Sequence, residues 1–186
     1  MSAPHPSAYE YFFKSALEYY VNGRAACLSG CLFTTGNLLH HAVEMMLKGE
    51  LSRTIPLDDL KDKKKFGHRL PKCWRAFKGL FPTEDLTEFD PMVRELHKFE
   101  EIRYPDNLLA KGASISLGFG RGRMMQKMKT ARRVPVYQMG IGDVDAFFAH
   151  AIKLCHMIPE PYFSFLTEHG REMLTKYNDH ANGWLS

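Results

Sequence analysis

Four polar side chains recur at helical spacing within an otherwise apolar stretch of the chain, at Asn37, His41, Glu44 and Lys48. On an ideal helix with about 100° per residue, they fall within about 60° of arc. Lysine and histidine can bind an anion, while the glutamate can hold either of them or accept from a hydroxyl group. The spacing predicts either a ligand-binding stripe or a polar seam that fixes helix packing, borders solvent or meets another subunit.

His68 and Arg69 come at the predicted start of a later helix, whose first turn contains Pro71. The first N–H groups of a helix lack partners within it, and the helix dipole favours an anion there. A guanidinium can also fork onto a phosphate or carboxylate. We therefore expect His68 and Arg69 to face the same cleft as the stripe. The expected ligand is a nucleotide or an RNA end, with a small acidic metabolite as the alternative.

Histidine and glutamate also recur three residues apart, at His41 and Glu44 and again at His97 and Glu100. Bundle proteins that bind two metals use the order Glu-x-x-His on two helices, which is reversed here. A metal-binding bundle protein, or an enzyme that uses these His/Glu pairs, is thus an alternative interpretation. Local hydrogen bonds or exposed surface pairs explain the same spacing more simply. No resident cofactor is expected.

Helical periodicity indicates the elements that position these residues. The predicted helices run from Ser7 to about 22 or 29, over 35–52, from near His68, over 85–102, from Asp143 and from Pro161. Residues 34–37, with the sequence TTGN, are candidate caps for the second helix. Alternation over 113–119 and 134–139 predicts two short strands. The sequence therefore predicts one all-α domain over 1–186, an antiparallel bundle of five to six helices with a small β-hairpin insertion at about 112–140.

The positive charge is concentrated in two segments, although the net charge of the chain is only +4. Residues 61–78 hold eight Lys or Arg and one acid. Residues 107–142 hold seven and no acid, and all seven lie within 111–133. Such segments attract anions, so a nucleotide or RNA is an expected partner through 61–78 and 111–133.

The remaining composition is typical of a water-soluble globular domain. No apolar stretch is long enough to span a membrane, and the N-terminus lacks the pattern of a signal peptide. The four cysteines form no CxxC pair, so reduced and partly buried thiols are expected. These features together predict a cytoplasmic protein.

Several motifs in order resemble the HEPN domain, the higher eukaryotes and prokaryotes nucleotide-binding family. They are HHAVEMMLKGEL at 40–51, a basic loop, GHRLPKCWRAF at 67–77 and EEIRYPD at 100–106. Within them, His41-Ala-Val-Glu44 with Lys48 resembles the second helix of the family, and His68-Arg-Leu resembles a later helix start. The resemblance covers about residues 8–104. It implies a helical bundle that dimerises and binds nucleotide or RNA, and through its Arg-Tyr-Pro motif it suggests that Arg103 closes the cleft.

The chain departs from the family at one motif. Many HEPN proteins resemble ribonucleases that use an arginine and a histidine four to six residues apart, and no arginine of this chain has a histidine at that separation. We therefore expect a binding module without that ribonuclease chemistry. A purely structural or dimerising protein is a further alternative. A homodimer is also indicated by the aromatic-rich first helix, whose complete burial within one bundle looks difficult. Its aromatic residues are Tyr9, Tyr11, Phe12, Phe13, Tyr19 and Tyr20.

Overall fold

The computed structural model describes residues 6–120 and 134–185, and these ranges are mostly helical, as the sequence predicts. The α-helices within them are α1 (Pro6–Leu28), α2 (Leu32–Leu51), α3 (Leu57–Lys61), α4 (Leu70–Leu80), α5 (Asp90–Lys98), α6 (Pro105–Lys111), α7 (Ile141–Leu154), α8 (Glu160–Phe163) and α9 (Glu168–Thr175). Short 3-10 helices lie at Thr87–Phe89, Phe99–Ile102 and Ala181–Trp184. The strands are β1 (Ser114–Gly118) and β2 (Val136–Gly140).

The turn between α1 and α2 lies earlier than the predicted caps. Helix α1 takes the longer of its two predicted ends, and Gly30, with φ of 75°, turns the chain into α2. Residues 34–37 therefore lie inside α2 instead of capping it. The hydroxyl of Thr35 donates to the carbonyl of Cys31 at 2.9 Å, a bond that a helical threonine makes to its own preceding turn. The prediction of a TTGN cap is wrong for this reason.

The two strands lie where the sequence predicts them, but they do not form a hairpin. They pair in parallel, with Ser114 opposite Val136 and Gly118 opposite Gly140. A parallel pair needs a connection of about a dozen residues or more, and residues 119–135 satisfy that length. The predicted β-hairpin is therefore wrong in its strand direction. Most of the basic segment 111–133 falls on residues 121–133, which lie outside the described residues.

Helix α2 is the centre of the core and packs along α1, α4 and the Phe99–Ile102 turn. A Cβ at Gly36 would lie only 1.9 Å from the Phe99 ring, so the glycine permits the Phe99–Ile102 turn to approach α2 this closely. That turn brings Glu100 and Arg103 to the polar side of α2. Of the aromatic side chains on α1, Phe13 and Tyr20 are fully buried, whereas Tyr11 is 70% exposed.

All four cysteines are free, as expected; Cys31 is exposed and the other three are buried. Among the described residues, we find no helix whose length and apolar character would let it cross a lipid bilayer.

Candidate functional site

The carboxylate of Glu44 is the centre of a buried polar cluster on α2, since its side chain is completely removed from solvent. Lys48, one helical turn later, is 5% exposed and donates from Nζ to Glu44 Oε1 at 2.6 Å. The polar stripe predicted from the sequence is therefore present on α2. Its lysine, however, is paired with the glutamate.

Three histidines surround the other oxygen of this carboxylate. The Nδ1 atom of His68 lies 3.1 Å from Glu44 Oε2, and Nδ1 of His41 lies 3.4 Å from it. The Nε2 atom of His40 lies 3.7 Å away. His68 comes from the turn before α4, so this contact joins the start of α4 to the middle of α2. The predicted convergence of His41, Glu44 and His68 is thus present.

These contacts keep Glu44 ionised despite its burial. Burial raises the pKa of Glu44, but the contacts from His41, Lys48 and His68 outweigh it and lower the pKa from 4.5 to about 2. Glu44 and Lys48 are therefore a buried ion pair at neutral pH. Such a pair is strongly destabilising to break, because one charge is then left without a partner.

His40 was only a border residue of the stripe in the sequence, yet it is the most deeply buried histidine of the cluster. Its Nδ1 lies 3.1 Å from the carbonyl oxygen of Leu96, which can only accept, so Nδ1 carries a proton. Burial lowers the pKa of His40 and outweighs the nearby carboxylates. In the neutral ring Nε2 is therefore an unprotonated acceptor. Within ranges 6–120 and 134–185 it has no hydrogen-bond partner, and it lies 3.8 Å from Glu100 Oε2.

A cleft of about 310 Å³ opens beside this cluster, between the first half of α2 and residues 102–108. Its polar side chains are Thr34, Asn37, His41 and Arg103, and the last three are site residues expected from the sequence. Arg103 pairs with Glu100 Oε1 at 3.3 Å, and it is 36% exposed. The apolar walls are formed by Phe33, Leu38, Ile102, Pro105 and Leu108. The cleft therefore combines one cation, one amide, one imidazole and one hydroxyl with a largely apolar surface.

Two other predicted residues occupy different positions. Arg69 is the residue before α4 and its side chain is exposed, and the residues that form the cleft do not include it. The ring of His97 stacks on that of His40, with centroids 6.1 Å apart, so His97 contacts the cluster through His40. The alternative metal site consists of four residues. Of these, His41 and Glu44 belong to the cluster, and Glu100 contacts it through His40.

A second buried network was not apparent from the sequence. Arg24 on α1 pairs with Asp145 on α7 at 2.5 Å, and the Tyr20 hydroxyl donates to the same carboxylate at 2.6 Å. Asn178 donates to the Tyr20 oxygen at 2.9 Å. Arg24 also donates to the carbonyls of Met173 and Lys176. This network ties α1, α7 and the C-terminal residues together, and every strong polar group within it has a partner.

No protein-family model matches the chain, and no curated protein or solved structure matches it either. The resemblance to HEPN domains therefore stays a prediction, and the function must be inferred from the geometry of the site.

Proposed function

We propose that the protein is a binding module for a nucleotide, or a similar phosphate-bearing ligand, in the cleft between α2 and residues 102–108. The observation that carries the proposal is the meeting of Asn37, His41 and Arg103 in one cleft. These residues are up to 66 positions apart in the chain (103 − 37). The cleft brings them together on a surface that, apart from Thr34, is otherwise apolar.

Each part of the cleft suits a part of such a ligand. The Arg103 guanidinium can bind a phosphate through two parallel N–H donors, and its pairing with Glu100 orients it without burying it. The Phe33 ring is 53% exposed and can stack on a base. The Asn37 amide and the His41 ring can donate to or accept from a base edge or ribose hydroxyl. A volume of about 310 Å³ is at the lower end of small-molecule sites, which favours a mononucleotide.

The assignment of roles differs from the one expected from sequence. Lys48 and Glu44 neutralise each other, so we infer that they position His41 and His68 and do not contact the ligand. His68 is close to His41, with ring centroids 5.9 Å apart, and thus joins the start of α4 to the cleft region. Arg69 then belongs to the basic segment 61–78, most of whose Lys and Arg side chains are exposed. RNA would contact this segment and a mononucleotide would not.

The proposal retains the other expectations from the sequence: a HEPN-like, antiparallel bundle that is cytoplasmic, forms a homodimer and does not act as a ribonuclease. The purely structural alternative also stays open, because a hydrogen-bonded seam on α2 needs no ligand. The two alternatives differ in whether Arg103 contributes to binding.

The test is calorimetric titration of the protein, at low salt, with AMP, with ATP and with a short single-stranded RNA. We expect Arg103→Ala to weaken nucleotide binding by about 1.5–3 kcal/mol, as for a hydrogen bond to a charged group. Arg94→Ala is the matched control, because Arg94 is also exposed but lies on α5 and outside the cleft residues.

Arg69→Ala separates the two ligand classes, since it should weaken RNA binding and leave AMP binding unchanged. If the wild-type protein shows no saturable binding of any of the three ligands up to millimolar concentration, the cleft is not a nucleotide site and the α2 stripe is structural.

A further inference from the structure

The buried cluster beside the cleft contains an electron-pair donor that no described residue satisfies. Because His40 Nδ1 donates to the Leu96 carbonyl, the neutral His40 ring presents a lone pair at Nε2. This atom is buried and has no hydrogen-bond partner among the described residues. It faces instead Glu44 Oε2 at 3.7 Å and Glu100 Oε2 at 3.8 Å, two further acceptors. Acceptors that converge in this way repel one another unless a cation lies among them.

We propose that His40, His41 and Glu44 bind a divalent transition metal of the zinc class, with Glu100 as a fourth ligand. One donor atom from each of His40, His41 and Glu44 lies within 4.8 Å of the other two. In a tetrahedral site with metal–ligand distances near 2.0–2.1 Å, neighbouring donors are about 3.3 Å apart. The observed 3.4 Å from His41 Nδ1 to Glu44 Oε2 and 3.7 Å from His40 Nε2 to that oxygen require only a small contraction.

The outer contacts of these residues are those that orient metal ligands. The Leu96 carbonyl fixes the tautomer and the ring orientation of His40, which leaves Nε2 for the metal. Lys48 occupies Oε1 of Glu44, and Arg103 occupies Oε1 of Glu100. Each carboxylate therefore has one oxygen held by a cation and the other, Oε2, directed toward His40 Nε2. His68 contacts the same Oε2 of Glu44 and holds it from a further side.

The same contacts select the kind of metal. Lys48 and Arg103 offset the charge of the two carboxylates, so the site offers little net negative charge to a hard cation such as Mg²⁺ or Ca²⁺, which binds mainly to oxygen ligands. Two imidazole nitrogens instead favour zinc, cobalt or a similar ion. The inference goes beyond the proposed function, because it rests on the cluster and holds whether or not the cleft binds a nucleotide.

For the test, the full chain is first stripped of metal with a chelator. It is then titrated with Co²⁺, and binding is monitored by visible absorption. We expect one equivalent of Co²⁺ to bind with visible bands that Zn²⁺ abolishes, and Zn²⁺ to raise the melting temperature. His41→Ala and Glu100→Gln lie at partly exposed positions and should weaken Co²⁺ binding at least tenfold. His169→Ala, at an exposed position on α9, should bind Co²⁺ as the wild type does.

The circular dichroism spectra of the stripped variants show whether each has folded, and Glu100→Gln keeps the test informative if His41→Ala does not fold. Phe33→Ala separates this inference from the proposed function, since it should weaken nucleotide binding and leave Co²⁺ binding unchanged. The inference is overturned if the wild type binds less than one equivalent of Co²⁺, or if folded His41→Ala and Glu100→Gln bind it as tightly as the wild type.

Discussion

Replacing Glu44 by glutamine should destabilise the folded protein by about 3–5 kcal/mol, because it leaves the Lys48 ammonium buried without a counter-charge. Lys48 is 5% exposed and its Nζ lies 2.6 Å from Glu44 Oε1, so water cannot readily replace the lost partner. The same magnitude follows from titration. A pKa lowered from 4.5 to about 2 corresponds to about 3 kcal/mol of stability that depends on the ionised carboxylate.

The sign of the pH dependence follows from the direction of this shift. Because the folded state holds the pKa of Glu44 below its unfolded value, its contribution is complete above about pH 4.5. The contribution is lost as the pH falls from 4.5 toward 2. The free energy of unfolding of the wild type should therefore fall through this range, and that of Glu44→Gln should fall less steeply.

Urea denaturation at pH 7, followed by circular dichroism, measures the free energy of unfolding. Glu95→Gln is the matched control: it breaks an exposed pair with Lys98 and should cost less than about 1 kcal/mol. Adding Lys48→Met to Glu44→Gln should recover most of the loss, because no buried charge remains unpaired. A Glu44→Gln variant as stable as Glu95→Gln would show that the cluster is hydrated and that the argument from burial is wrong.

Three further outcomes are expected. Gly36→Ala should destabilise the fold by about 1–3 kcal/mol in urea denaturation, because its methyl group would overlap the Phe99 ring. Gly79→Ala, whose new Cβ would have no atom of the described residues within 4 Å, should be neutral or stabilising. Asp145→Asn should lower the free energy of unfolding by about 3–5 kcal/mol, since it leaves the buried Arg24 guanidinium without a counter-charge, and an unchanged urea midpoint would contradict this. Sedimentation at tens of micromolar should show a homodimer, and a species of only 21.4 kDa would argue against it.

The sequence predicted the polar stripe of α2 because helical spacing is a local property. Glu44 and Lys48 are four residues apart, so their pairing follows from the helix period alone. That His40 belongs to the cluster around Glu44 was harder to predict from the sequence. Its spacing to Glu44 was visible, but its tautomer depends on the carbonyl of Leu96, which is 56 residues away. Without that contact, His40 could not be distinguished from an ordinary buried histidine.

Long-range pairing explains the other gaps in the sequence analysis. Arg24 and Asp145 are 121 residues apart, and neither lies in a motif that would suggest a partner. The two strands were located correctly because alternation is local, but their direction depends on how the chain returns between them. The early start of α2 depends on the turn at Gly30, and TTGN was an equally suitable start by residue type alone.

The parallel pairing of β1 and β2 determines how far the connection between them can be shortened. A hairpin connection can be trimmed to two residues, because its ends are adjacent. Here the chain leaves at Gly118, beside Gly140, and must return to Val136, beside Ser114. These points are about 13 Å apart at 3.3 Å per residue. A deletion that left much less than the dozen or so residues that a parallel pair needs could not return the chain to Val136. It would reverse β2 and, since α7 begins at Ile141 directly after β2, would redirect the helix that delivers Asp145 to the core.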